Sequence, residues 1–218
     1  MAHVKSNFSS VVAIGGQNPQ ILNVDFLKCN NIIPVDKPPF AELLTKEKPF
    51  QAFVSTPPFA RLVMNNYEFI VDERRFQVKD NNPENWTNTL IYEIAINYYT
   101  LLQHTPVKAI GLNFNSRIIF ENDDESAKFQ KILLADDSTI VNIIGQCECS
   151  SALDLRFPYN DNRVDLTLGH LTKNKCRVVN FNYEFDFENL EQLNNEFAKA
   201  NELSGYFDQL LNSLLEAI

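Results

Sequence analysis

Glycine is scarce in this chain, six residues in 218, and none stands in a G-x-G-x-x-G or G-x-x-x-x-G-K-S/T pattern. Gly15-Gly16 follows the apolar stretch Val11–Ile14 but opens no phosphate loop, so a nucleotide fingerprint is absent. Histidine is scarcer, at three. His3 is near the start. His104 closes a predicted helix, where the dipole favours it. His170 shares a strand face with Val164, Leu166 and Leu168, the setting of a core histidine. No G-x-S-x-G elbow and no protease-like cysteine context accompanies them, so nucleophilic catalysis is not indicated. The four cysteines lack zinc spacing. Cys147 and Cys149 form C-x-C on a predicted strand and Cys29 and Cys176 are isolated, whereas a zinc site needs four converging ligands. They read as free thiols of a reducing compartment. Neither a metal nor a cofactor is expected.

Long apolar runs are missing too. None approaches the ~18 residues of a membrane-crossing helix, and Val11–Ile14 is too short for a signal peptide. A cytoplasmic location away from membranes is expected. Positive charge is in deficit, with 19 Lys and Arg against 28 Asp and Glu, a net charge of −9. Such a chain repels phosphate backbones, so nucleic acid is not an expected partner. The cluster Arg74, Arg75 and Lys79 reads as a solvated hairpin. The carboxylate runs Glu121–Glu125 and Asp136-Asp137 lie at helix ends, where capping explains them.

What the chain does have is alternation and aromatic mass. Seventeen Phe and seven Tyr supply a core. Val107–Phe120 places Ile110, Leu112, Phe114, Ile118 and Phe120 on one face and Asn113, Asn115 and Arg117 on the other, the pattern of a half-buried strand. Arg177–Phe187 does the same, with Val179, Phe181, Tyr183, Phe185 and Phe187 opposed to Asn180, Asn182, Glu184 and Asp186.

Two stretches, 20–105 and 107–216, repeat one order of elements. In the second, the strand Val107–Phe120 leads to a short helix (126–135) capped by Asp123 or Asp124. Strands Cys147–Phe157, Arg163–Leu171 and Arg177–Phe187 come next, then a long helix from about Leu190 to Leu215. In the first, a strand Ile21–Leu27 precedes a short helix (39–45). Strands at Gln51–Ser55, Arg61–Val63, Tyr67–Val71 and Arg75–Lys79 come after it, and a long helix opens at Asn82-Pro83 and stops before Pro106. Residues 1–218 therefore read as a single α+β domain with a mainly antiparallel sheet. It is built from two related β-α-β-β-β-α halves, with two long helices packed on one face. The alternative is a single sheet gripping one long helix.

The element order is similar to that of TATA-box-binding-protein-like saddles. The stretch TPVKAIGLNFNSRIIF (105–120) resembles a strand in a sporadically distributed family of bacterial proteins, whose members carry something like I-G-L-R-Y-I-N-R-I after a helix. Ile110, Gly111, Leu112, Arg117 and Ile118 match it, while Asn113 and Asn115 depart from it. The resemblance implies a fold and no activity. The expected open face holds Asp165, Glu184 and Asp186 beside Arg163 and Arg117, mixed rather than basic.

The candidate ligand-binding residues are Asn113, Asn115, Arg117, Asn180, Asn182 and Glu184, directional donors and acceptors on neighbouring strands. The ordinary reading of the same residues is a wetted sheet face. The function expected is non-enzymatic binding or adaptor work through protein–protein contacts, with a basic partner favoured by the negative charge. The alternative is small-molecule binding or catalysis in a cavity between sheet and long helix. Unpaired sheet edges, with Leu214, Leu215 and Ile218 at the end of the last helix, predict a homo-oligomer, a dimer.

Overall fold

The computed structural model describes residues 2–83, 86, 88–133, 153–171 and 176–216. The first strand, β1, spans His3–Gly15, so the first half begins well before residue 20. Its alternation breaks at a bulge between Ser6 and Phe8. Val4 and Ser6 face one way before it, and Ser9, Val11 and Ala13 continue that face after it. A bulge inserts one residue and reverses the parity of the rest of the strand, which hides β1 from a period-two reading.

The strand expected at Ile21–Leu27 is helical instead. A 3₁₀ turn, Pro19–Ile21, and the helix α1, Val24–Cys29, are each opened by an asparagine. The Asn18 side chain accepts from the Gln20 amide at 3.1 Å, and that of Asn23 from the Phe26 amide at 2.8 Å. Satisfied N-terminal amides favour the helix over the weak alternation of the apolar residues. After α2, Phe40–Leu43, four strands run as successive hairpins: β2 Ala52–Thr56, β3 Phe59–Met64, β4 Tyr67–Asp72 and β5 Arg75–Asp80. Pro57 and Pro58 occupy the β2–β3 turn.

Helix α3, Ile91–Leu101, starts later than the Asn82-Pro83 signal. Asp80 is the cause. Its carboxylate accepts from the Asn82 amide at 3.0 Å and from the Thr89 hydroxyl at 2.8 Å, holding both residues at the end of β5.

The second half matches the sequence expectation more closely. It comprises β6 Val107–Ile119, α4 Asp123–Leu133, β7 Leu153–Tyr159, β8 Asn162–Leu171 and β9 Cys176–Asp186. Asn122, not Asp123 or Asp124, caps α4, accepting from the Glu125 amide at 2.9 Å. The expected strand start at 147–152, with Cys147 and Cys149, lies outside the described residues. So do Asp136-Asp137 and the turn 172–175. The single long C-terminal helix is two helices, α5 Leu190–Ala198 and α6 Ala200–Glu216. They break at Lys199, whose ammonium pairs with Glu196 at 2.8 Å.

Among the described residues nine strands form one antiparallel sheet in the order β2-β3-β4-β5-β1-β6-β9-β8-β7. Outward from the central β1·β6 pair, each side sets its leading strand first and then the last strand of the hairpin run behind it. Helices cover one face of both sides, so the single-helix grip does not apply. α3 packs on β5 and β1, and α6 on β6. No described helix is long and apolar enough to cross a membrane.

Aromatic rings fill the space between the layers. Phe76 stacks on Tyr98 with centroids 3.9 Å apart. On the other side Phe207 of α6 lies 5.2 Å from Phe181 and 6.1 Å from Phe114. Trp86 closes over Phe207 at 5.6 Å and donates its indole N–H to Asp208 at 3.2 Å. α3 and α5 meet through Tyr92 and Phe197 at 5.4 Å. Leu214 and Leu215, expected at an interface, pack partly buried against this core. Ile218 lies outside the described residues.

This core sets two expected outcomes. Phe207→Ala removes a fully buried ring and lowers the unfolding free energy by about 3–5 kcal/mol in a urea titration. Leu155→Ala, at a site 42% exposed, changes it by less than ~1 kcal/mol. The second outcome concerns alkaline pH. Burial raises the phenol pKa of Tyr92, Tyr98, Tyr99 and Tyr183 above the ordinary 10.0. Above that pH the unfolded chain releases protons that the folded chain keeps, so the stability these phenols contribute is complete below it and falls as pH rises. Phenolate absorbance from these tyrosines is expected to appear together with loss of the helical circular dichroism. A full phenolate signal from a still-folded chain would contradict it.

Candidate functional site

The face of the sheet that no described helix covers is built by the outward residues of the described strands. At its centre β6 and β9 run antiparallel in a register that places Asn113 opposite Asn182, Asn115 opposite Asn180, and Gly111 opposite Glu184. Five of the six candidate residues are thus brought together. Arg117 is the outlier. It sits opposite Val178, on the exposed end of β6 and across from Lys5 of β1. Its guanidinium offsets part of the burial that pushes the Cys176 thiol up.

Within the cluster the asparagines divide into two kinds. Asn115 is 2% exposed. Its side-chain oxygen accepts from Asn7 at 2.6 Å, and its amide N–H donates to Asn180. Asn7 is the bulged residue of β1, so the bulge turns this side chain onto the ladder. An amide ladder across three strands satisfies its own members and acts as a brace. Asn113 and Asn182 are only half-buried and belong to the surface. The Asn182 side chain lies over Gly111, where an added Cβ would stand 2.6 Å from its oxygen.

Charge alternates outward from this centre. Glu184 pairs with Arg163 at 2.7 Å, Arg163 with Asp165 at 3.3 Å, and Asp165 with Arg156 at 2.6 Å, a row across β9, β8 and β7. The opposite wing has its own row. Arg61 meets Glu68 at 2.5 Å, Lys79 approaches Glu68 at 3.9 Å, and the Lys79 ammonium lies 4.1 Å above the Phe8 ring. Arg75 is drawn to Asp72 at 3.2 Å. These pairs are partly solvated and add little stability each, but they orient the charges that take part in them. The alternation also neutralises the basic hairpin residues Arg75 and Lys79.

Three open hollows line this half of the face. One of about 370 Å³ has Gly111 in its floor and Val12, Ile14, Asn113, Asn182 and Glu184 around it. A second of about 230 Å³, lined by Arg163 and Asp186, adjoins it through Glu184. A third of about 390 Å³ lies over Arg156, Asp165 and Thr167. Between sheet and helices, the place foreseen for an enclosed ligand, the rings are stacked. Among the described residues a hollow of about 260 Å³ lies at the rim, where Tyr99 of α3 and Gln103 face Phe187 and Leu190.

Sequence reasoning missed Asn7, because the bulge that aims it is invisible without β1. It also missed Arg156, which belonged to a strand read as starting at Cys147. Period-two spacing from Arg163 and Asp165 onto the strand before them was the signal that could have found it. Among the described residues no three of His, Cys, Asp and Glu gather as a metal site requires. Cys29 and Cys176 are unpaired thiols, and His3 and His104 are exposed. Compared with protein-family models and with curated proteins, the chain gives no match.

The two kinds of asparagine separate in a stability measurement. Asn115→Ala strands the amides of Asn7 and Asn180 and costs about 1–3 kcal/mol in urea unfolding. Asn113→Ala stays within ~0.5 kcal/mol. Equal costs would remove the division between brace and surface.

Proposed function

We propose that this chain is a non-enzymatic binding protein whose partner, another protein, docks on the uncovered face of the sheet. The observation that carries the reading is the contrast between the two sides of the sheet. One side is filled by stacked rings, which supports docking over a ligand cavity. The other presents open hollows among half-exposed side chains whose paired charges alternate along two rows. Alternating, pre-positioned charge sets register and rejects mismatched surfaces more than it adds raw affinity. The net charge of −9 steers a basic partner toward the molecule, and the mixed-charge face then selects among such partners. The same strand order on the two sides of the β1·β6 pair supports reading the two halves as related. A reducing, cytoplasmic setting is consistent with the unpaired Cys29 and Cys176.

Affinity purification of the tagged full chain from its native host, coupled to mass spectrometry, tests this when run on three forms in parallel. The wild type is expected to recover a defined protein. Arg163→Glu, which sets three carboxylates side by side, is expected to reduce that recovery about tenfold. Glu191→Gln, an exposed position on the helical side, leaves it unchanged. Repeated recovery of the chain alone, or equal recovery with Arg163→Glu, would sink the reading.

A further inference from the structure

The sheet ends unequally. β2 forms one end, and all five of its residues are exposed. Phe53, 40% exposed, and Val54, 49% exposed, stand side by side on it. The strand, Ala-Phe-Val-Ser-Thr, carries no charge. Its prolines, Pro57 and Pro58, lie beyond its end in the turn, so no amide of residues 52–56 is lost to proline. β3 is its partner on one side, and the outward row of N–H and C=O groups stands open on the other. β7, the other end among the described residues, is built differently. Pro158 lies inside it, Asp154 and Arg156 flank its centre, and Arg156 is tied to Asp165 at 2.6 Å. Charge and proline are the usual devices that keep an edge from pairing. β7 has them and β2 has none.

We propose that β2 pairs antiparallel with the β2 of a second copy of this chain, across a two-fold axis perpendicular to the sheet. Several features point to a second copy. An uncharged strand meets no like charge when opposed to itself. Phe53 projects on the helix side and Val54 on the open side, so each finds its counterpart on the same side of the partner. Among the described residues β2 is the one edge without charge or proline, so pairing through it closes at two copies instead of growing into a filament. Two five-residue strands bury less than the ~1,200 Å² at the lower end of stable interfaces, so the pair forms and separates with concentration in the micromolar range. An axis perpendicular to the sheet leaves both uncovered faces on the same side, giving a two-site surface. The pairing itself rests on the edge alone and stands or falls independently of any partner on the open face.

Light scattering on the full chain, from micromolar to several hundred micromolar, reads the mass directly. It is expected to climb from 25.0 kDa toward twice that value. Val54→Lys, which sets ammonium groups against each other at the dyad, is expected to weaken the pairing about tenfold, and Leu155→Lys on β7 leaves it unchanged. Because Val54 lies outside the core, both variants keep the thermal unfolding of the wild type. Hydrogen exchange on the wild type gives a second readout without mutation, since the amides of 52–56 slow as concentration rises. A mass fixed at 25.0 kDa throughout overturns the proposal. So does a pair that survives Val54→Lys and is lost with Leu155→Lys. Protection of the β2 amides that appears only with a different captured protein assigns the edge to that protein and overturns it equally.

Discussion

The pairing of β1 with β6 is the interaction on which the rest of the structure depends. Each half supplies a sheet with a helix-covered face, and only these two strands, bonded along nearly their whole length, make the two sheets one. The ladder forces both sets of helices onto the same side, because a shift of register by one residue would exchange the faces of a strand. It also creates the uncovered face as a single surface. Without it, Asn113 and Asn182 on one side and Lys79 and Glu68 on the other would belong to separate surfaces. The bulge at Asn7 shows how closely brace and surface are joined. The residue inserted to adjust β1 supplies the first amide of the ladder through Asn115 to Asn180.

Strands with unbroken alternation were legible in the sequence. β6 and β9 each keep one orientation period of two from end to end, and the observed register puts Asn113 and Asn115 against Asn182 and Asn180 on the face that alternation assigns to all four. β1 was not legible, since it changes parity midway and buries Ser9 and Ser10, residues whose chemistry suggests a turn. Ile21–Leu27 failed for the opposite reason. Its apolar spacing imitates a strand, while the deciding groups are two asparagine side chains whose hydrogen bonds are local and directional. The misplaced start of α3 is a tertiary effect. Asn-Pro is a good opening for a helix, but a buried Asp80 from β5 takes the Asn82 amide first. The break at Lys199 carries no glycine or proline and had no local signal. The α+β class survives these errors because it depends on the long one-faced strands and the helices that cover them, not on any one boundary.

The charged residues divide between the two sides of the sheet, and this division completes the physical picture. On α5 and α6 the carboxylates with partners are in structural use. Glu196 accepts from the Tyr183 hydroxyl at 2.7 Å, Glu202 from the Tyr159 hydroxyl at 2.8 Å, and Asp208 from Trp86. Each ties a helix back to the sheet or to the segment that covers it, so the acidity of this side is in part the means by which the helices are held. On the uncovered side Glu68, Asp72, Asp165 and Glu184 each have a cation beside them, and the face carries both signs. The net negative charge read from composition sets the chain's long-range field, while the sheet face offers local alternation. A partner attracted by the first must still match the second. A face that carries both signs in order discriminates by geometry, because each misplaced charge meets its own sign a few ångströms away.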